Sequence, residues 1–198
     1  MKHRLLFLFF VITFSTYAQK PAIRIFYGFS DAKLLEKEAL DGVVSDDVES
    51  LFELGAEYQI NLKNKFSVVT GLTYTKPKIK NNFLGSYGGI GDESNQYHFI
   101  FQDLEVLSIS ALLEFKFWNY FFLNAGPVLS FELNDPNIEY SQNGIGYHLG
   151  FGGQYHFGNF FVFANPYFKQ FGTIDFKDET RDHNLNQFGA HIGIGYQF

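Results

Sequence analysis

Six charged residues stand out by their company. Arg24, Glu53, Glu57, Glu114, Lys116 and Glu132 lie in stretches that otherwise alternate apolar residues with small or polar ones, each on the polar parity of its stretch. If those stretches are strands, all six side chains point to the same side of a sheet. A confined polar face cannot hold bare charges cheaply, so these groups are expected to pair with each other or with water. Paired, they form a structural plug of ion pairs; left partly open, they line an ion path. Three histidines, His148, His156 and His191, fall on the same parity and raise the question of a metal. His148 and His156 are eight residues apart on one strand, about 26 Å at the usual rise, and cannot share an ion. A hydrolytic triad could draw on His148, on Ser108, Ser110 or Ser130, and on one of the glutamates, but nothing marks a nucleophile. The glycine-rich run GSYGGIGDES at 85–94 lacks the Lys-Ser/Thr ending and the following helix of a phosphate cradle. No metal, cofactor or catalytic residue is expected.

The elements that must position these residues are strands. In LFELGAEYQINL (51–62), Phe52, Leu54, Ala56, Tyr58, Ile60 and Leu62 share one parity, against Glu53, Gly55, Glu57, Gln59 and Asn61. FFLNAGPVLSFEL (121–133), IGYHLGFGGQYHF (145–157) and HIGIGYQF (191–198) alternate in the same way, and three further stretches do so less cleanly. The segment FFVFANPYFKQF (160–171) is apolar on both parities, so its faces stay unassigned. Period-two alternation marks a strand with two different faces. Eight strands are predicted, roughly 22–30, 50–62, 66–78, 103–118, 121–133, 143–157, 160–171 and 186–198. Tight turns at 63–65, 119–120 and 158–159 alternate with long polar links at 31–49, 79–102, 134–142 and 172–185. Pro127 and Pro166 each delete a ladder donor, so bulges or weak pairing are expected there.

The first long link carries a net charge of -5, from seven carboxylates against two lysines. Ser30-Asp31 could cap a short helix through Leu40. Its acidic surface lacks the spacing of a calcium loop and reads as solvated loop or docking surface.

Composition narrows the class. The 198 residues include 26 phenylalanines and no cysteine, only 18% are charged, and the net charge is -6. Lys2, His3 and Arg4 precede the apolar run LLFLFFVITF and the small residues Thr16 and Ala18, which reads as a secretory signal peptide over 1–18. The remainder, 19–198, forms one domain, and loss of Lys2 and Arg4 takes its charge from -6 to -8. Such an acidic chain without basic clusters is not a nucleic-acid binder.

An exported chain rich in aromatic rings, without a spanning helix, fits an all-β, eight-stranded antiparallel up-and-down transmembrane barrel with short periplasmic turns and longer extracellular loops. Its apolar row would face lipid, and its polar row would fill a narrow lumen. The alternative orientation, a soluble lipocalin-like barrel, would turn the apolar row inward around a ligand.

LFELGAEYQINLKNKFSVVTGLTY, DLEVLSISALLEFKF with FFLNAGPVLSF, and YHFGNFFVFANPY with GIGYQF resemble the PorT-like outer-membrane β-barrel family of Gram-negative envelopes. The resemblance runs over nearly all of 19–198. Two departures are visible: Leu104-Glu105-Val106 runs into Leu107 where the family often has proline, and Asn165 and Pro166 stand where its seventh strand usually carries lumen charges. The resemblance implies a cell outer-membrane location among membrane lipid and lipopolysaccharide. It implies Tyr196 and Phe198 as an assembly signal read by the outer-membrane assembly machinery, and envelope protein partners in secretion or surface assembly. A narrow channel, and a barrel-embedded enzyme acting on lipid or lipopolysaccharide, are the rival readings. The first expected outcome is cleavage after Ala18: intact-mass measurement of the mature protein should place its first residue at Gln19, and a retained Met1 would refute the signal peptide.

Overall fold

A computed structural model describes residues 19–36, 47–62, 65–84, 97–134, 142–175 and 183–198. The proposed signal peptide and residues 63 and 64 of the first tight turn lie outside the described residues, as does the central portion of each long link.

The strands are β1 (Gln19–Glu36), β2 (Asp47–Asn61), β3 (Phe66–Leu84), β4 (Tyr97–Asp103), β5 (Val106–Phe117), β6 (Phe121–Glu132), β7 (Gly144–Phe157), β8 (Phe160–Asp175) and β9 (His183–Gln197). Every neighbouring pair is antiparallel. β1 pairs with β2 on one side and with β9 on the other, so the sheet closes on itself. Nine segments make eight staves, because β4 and β5 are one stave with a break. Both pair with β3, and Thr75 faces Val106 while Lys78 faces Asp103, so the register does not slip across the gap. Pro77 explains the break. It has no N–H to donate to the opposing chain, and only the return bond forms, from Leu104 N to Pro77 O at 3.2 Å.

Alternation sets the faces as the sequence indicates. Ile23, Ile25, Tyr27 and Phe29 are about half exposed, whereas Arg24 and Phe26 between them are 1% and 5% exposed. Leu54, Leu72, Leu113, Leu123, Leu149, Ile192 and Ile194 continue the exposed apolar row around the barrel. The apolar row therefore faces outward, which overturns the lipocalin-like orientation. At the short-turn end the outer surface carries aromatic rings in contact: Phe117 on Phe121, Tyr120 on Tyr155, Phe157 on Phe160, and Phe160 on Tyr196. Amphipathic and aromatic side chains at this level form the girdle of a spanning barrel. Two small clusters of buried apolar side chains lie inside, one of Ala22, Phe26, Phe122, Phe161 and Phe163, the other of Ala32, Leu51, Leu104, Val106, Phe171 and Leu185.

Two expectations are corrected. The helix from Ser30 toward Leu40 does not form over its first half: β1 runs on to Glu36, pairing with β9 as far as His183. A ladder on a neighbouring strand satisfies the peptide groups of every second residue along this stretch, which a single cap cannot do. Residues 37–40 lie outside the described residues. The strands at the long-loop end are likewise longer than the links at 31–49, 79–102 and 172–185 suggested, with β3 reaching Leu84 and β8 reaching Asp175. At Pro127 and Pro166 the weak pairing expected does occur, without bulges. Pro127 keeps its partner Tyr147 on β7, but β5 and β6 lose the rungs between Ser110–Val128 and Leu113–Ala125. Pro166 keeps Ala190 on β9, while β7 and β8 lose the rungs between Gly150–Tyr167 and Gly153–Ala164. The β7–β8 register shift lies instead near Gly172, at a φ of 51° that glycine adopts readily.

Opposite tolerances are expected on the two faces of β6. Leu123 is 48% exposed on the outer wall and Asn124 is buried inside. Arginine at a mid-bilayer outer position costs about 2–4 kcal/mol. Leu123→Arg should therefore lower the folded fraction in liposomes well below that of Asn124→Gln, measured by the mobility difference of heated and unheated samples. Equal yields would refute the face assignment.

Candidate functional site

The inner face of the barrel brings charged groups from distant strands into two clusters, stacked along the axis. The first lies toward the short-turn end. Arg24 of β1 makes a two-pronged contact with Glu114 of β5: Nη1 donates to Oε2 at 2.8 Å and Nη2 to Oε1 at 3.1 Å. Nη2 also donates to Gln154 Oε1 at 3.3 Å, and Glu57 Oε2 lies 3.7 Å from Nη1. Gln59 donates to Glu114 Oε1 at 3.1 Å. Three rings, Phe122, Phe161 and Phe163, surround the guanidinium with centroids 5.2–5.6 Å from its carbon. Arginine suits this position because its planar fork matches a carboxylate while its faces stack on rings. Gly55 is what lets Phe26 fit beside the cluster, since a Cβ there would overlap the Phe26 ring.

The second cluster is centred on Glu53 of β2, which is fully buried. Its Oε1 accepts from Thr75 Oγ1 at 2.9 Å and from Lys169 Nζ. Its Oε2 accepts from the Tyr167 hydroxyl at 2.6 Å and faces His191 Nε2 at 2.6 Å. Gln187 Nε2 donates to both the Tyr167 hydroxyl and Ser30 Oγ. His148 stacks on Tyr167 and His191, with centroids 5.2 and 6.1 Å away. Gly28 makes the space: a Cβ there would lie 2.8 Å from the His191 ring and 3.0 Å from Glu53 Cβ.

The six charged residues of the polar parity are thus not one network. Arg24, Glu57 and Glu114 meet. Glu53 sits apart from them, and its cation is Lys169. Lys116 lies at the short-turn mouth, 26% exposed, with Nζ 3.9 Å from Glu114 and 3.3 Å from Asn61 Oδ1. Glu132 is at the other end, where its carboxylate accepts from the Gln142 backbone and from Asn143 Nδ2. His156 is also at the short-turn end, bonded to Gln154 at 2.9 Å. Sequence reasoning missed Lys169, Tyr167 and Gln187. The first two sit on β8, the strand whose two parities are both apolar; the charge absent at Asn165 appears two inward positions later, at Lys169. Tyr196 and Phe198 are exposed on the outer wall with their rings edge to face, 5.3 Å apart.

Known structures bear on the fold. The outer membrane protein OprG from Pseudomonas aeruginosa superposes with a TM-score of 0.56 at 13% identity, over 92% of this chain and 97% of that one. The outer membrane protein AlkL in lipid bilayers gives 0.54 at 11% identity, over 92% of each chain. This chain has the fold of the small outer-membrane barrels. No protein-family model matches it, and no curated protein matches it in sequence.

The Glu53–Lys169 pair generates a double-mutant test. Removing one partner of a buried pair leaves an uncompensated charge and costs about 3–5 kcal/mol, whereas removing both is far milder. Lys169→Met should be strongly destabilising to urea unfolding in lipid vesicles, and Glu53→Gln added to it should recover much of the loss. Additive effects of the two changes would show that the pair is not coupled.

Proposed function

We propose that the protein is an integral outer-membrane barrel with a filled, non-conducting lumen, without enzymatic activity, that presents its long-loop end to envelope protein partners. The observation that carries this reading is the stacking of paired charges beneath an apolar layer. Arg24, Glu114, Glu53 and Lys169 are each no more than 3% exposed. Beyond them, toward the long loops, Ala32, Leu51, Leu104, Val106, Phe171 and Leu185 meet in one buried cluster inside the barrel. An ion crossing this interior would have to separate both desolvated ion pairs and then pass apolar side chains, each step costly in a low-dielectric space. The same burial speaks against catalysis, since Glu53, His191 and Tyr167 are buried and engaged with one another.

The resemblance to PorT-like barrels supports the finer reading, a role in secretion or surface assembly among membrane lipid and lipopolysaccharide. In the same reading residues 1–18 are a signal peptide, and the exposed rings of Tyr196 and Phe198 are the surface recognised by the outer-membrane assembly machinery.

Planar-bilayer recording tests the plug. The purified protein should show no steady conductance, and Arg24→Ala should destabilise the barrel. Reproducible single-channel openings whose amplitude shifts with Glu57→Gln would replace the plug with the channel reading.

A further inference from the structure

The sequence separates its charges: the long link at 31–49 carries -5, while the short connection at 63–65 reads Lys-Asn-Lys. At that short-turn mouth Lys20, Lys65 and Lys116 line one cleft of about 290 Å³. Asn61 organises its floor. The Asn61 side-chain oxygen lies within hydrogen-bond distance of Gln59 Nε2, Ser67 Oγ and Lys116 Nζ, at 2.8, 2.8 and 3.3 Å. Asn61 Nδ2 in turn donates to the Lys20 carbonyl at 2.7 Å, and Gln197 Nε2 donates to the same oxygen at 3.3 Å. Asn61 Oδ1 and the Lys20 carbonyl are therefore already engaged by protein donors. Glu114 lies 3.9 Å from Lys116 Nζ, but its oxygens hold Arg24 and Gln59. Among the described residues, no carboxylate side chain lines the cleft, and Lys20 and Lys65 enter no ion pair. Both also hold a left-handed backbone, with φ of 39° and 70°. The cleft thus offers three lysine ammonium groups and no opposing carboxylate side chain among the described residues.

The cleft is also continuous with the outer wall. Leu62 and Phe66 line it, and Phe66 is 39% exposed and lies 5.0 Å from the ring of Phe115 on the apolar face. An anion alone needs only the lysines; an anion carrying acyl chains would use the adjoining apolar surface as well. We propose that this cleft binds the phosphate headgroup of an anionic phospholipid, with the lysines on the phosphate and the chains along Phe66 and Phe115. The inference goes beyond the plug reading, since it concerns the rim and holds whether or not the lumen conducts.

Native mass spectrometry of the full mature chain, folded in a neutral detergent, tests it with three additions: phosphatidylglycerol, phosphatidylcholine and inorganic phosphate. One phosphatidylglycerol should be retained in preference to phosphatidylcholine. The preference should fall roughly fivefold for each lysine removed in Lys20→Gln, Lys65→Asn and Lys116→Gln, and should weaken with salt. Asparagine is chosen at 65 because it tolerates the left-handed backbone. Gel mobility of unheated samples reports whether each variant is a folded barrel; if the triple variant does not fold, Lys65→Asn alone carries the comparison. Equal retention of phosphatidylglycerol by a folded variant would overturn the site. Displacement of the lipid by millimolar inorganic phosphate would overturn the lipid and leave a free-phosphate site.

Discussion

The constraint from which the rest follows is that a backbone in hydrocarbon has no water to bond. Every N–H and C=O in the spanning region needs a protein partner, and in strands only a closed ladder provides one. Closure here depends on β1, which holds β2 on one edge and β9 on the other. It explains why three of the four described prolines sit as they do, the fourth, Pro21, falling at the β1–β2 register shift between Gln19 and Ala22. Pro77, Pro127 and Pro166 each keep a partner on one neighbouring strand, and the missing rungs are confined to the other. The loss is local because the register on either side of each gap is unchanged. It also explains the strands that outrun the predicted links. Once two edges are aligned, extending the ladder satisfies further peptide groups at little added entropy.

Closing eight strands fixes the second problem, an interior only wide enough for side chains. The polar row must fill that space while each strand keeps its alternation. Small residues and large ones are therefore matched across strands. Gly55 receives the Phe26 ring, and Gly28 receives Glu53 and His191. Charges in such a space are tolerated when they are paired and most of their bonding capacity is used, and Arg24 Nε is the one charged-group atom among the described residues left buried without a partner. Glu53 meets four side-chain groups and Glu114 accepts from Arg24 and Gln59. Along with Glu57 these make three carboxylates against Arg24 and Lys169, with Lys116 at the short-turn mouth 3.9 Å from Glu114.

The barrel itself was legible from alternation, because the outer wall and the interior select opposite residue types at every second position. Faces were readable even where one residue broke the pattern: Val69 and Phe122 are apolar yet fully buried inside, since the lumen accepts a ring or a branched chain where a neighbour is small. Two things were not legible. On β8 the lumen row itself is largely aromatic, Phe161, Phe163, Tyr167 and Phe171, so parity carries no contrast and Lys169 was lost among the rings. Partnerships across the lumen were also hidden. Parity says which residues point inward but not at what height along the axis, and strand tilt and stagger set the height. Lys116 and Arg24 both point inward, yet only Arg24 reaches the depth at which Glu114 can take both of its prongs. The same omission hid the separation of Glu53 from Glu57, which lie two inward positions apart on β2 and belong to different clusters.

Height along the axis is also what gives the interior its order. Reading along the inward side of β1 from the short-turn end, Ala22 and Arg24 are followed by Phe26, then Gly28 beside Glu53, then Ser30 bonded to Gln187, then Ala32 in the apolar layer. Polar and apolar layers thus alternate, and each charged layer has rings or aliphatic groups against it. Such neighbours keep competing water away from the ion pairs, which strengthens each pair and raises the penalty for separating it. A wider or wetter lumen would hold the same residues more loosely and gain less from their pairing. The layering therefore couples the two demands: the closed ladder forces a narrow interior, and the narrow interior makes paired charge clusters, rather than scattered charges, the arrangement that this sequence can fold around.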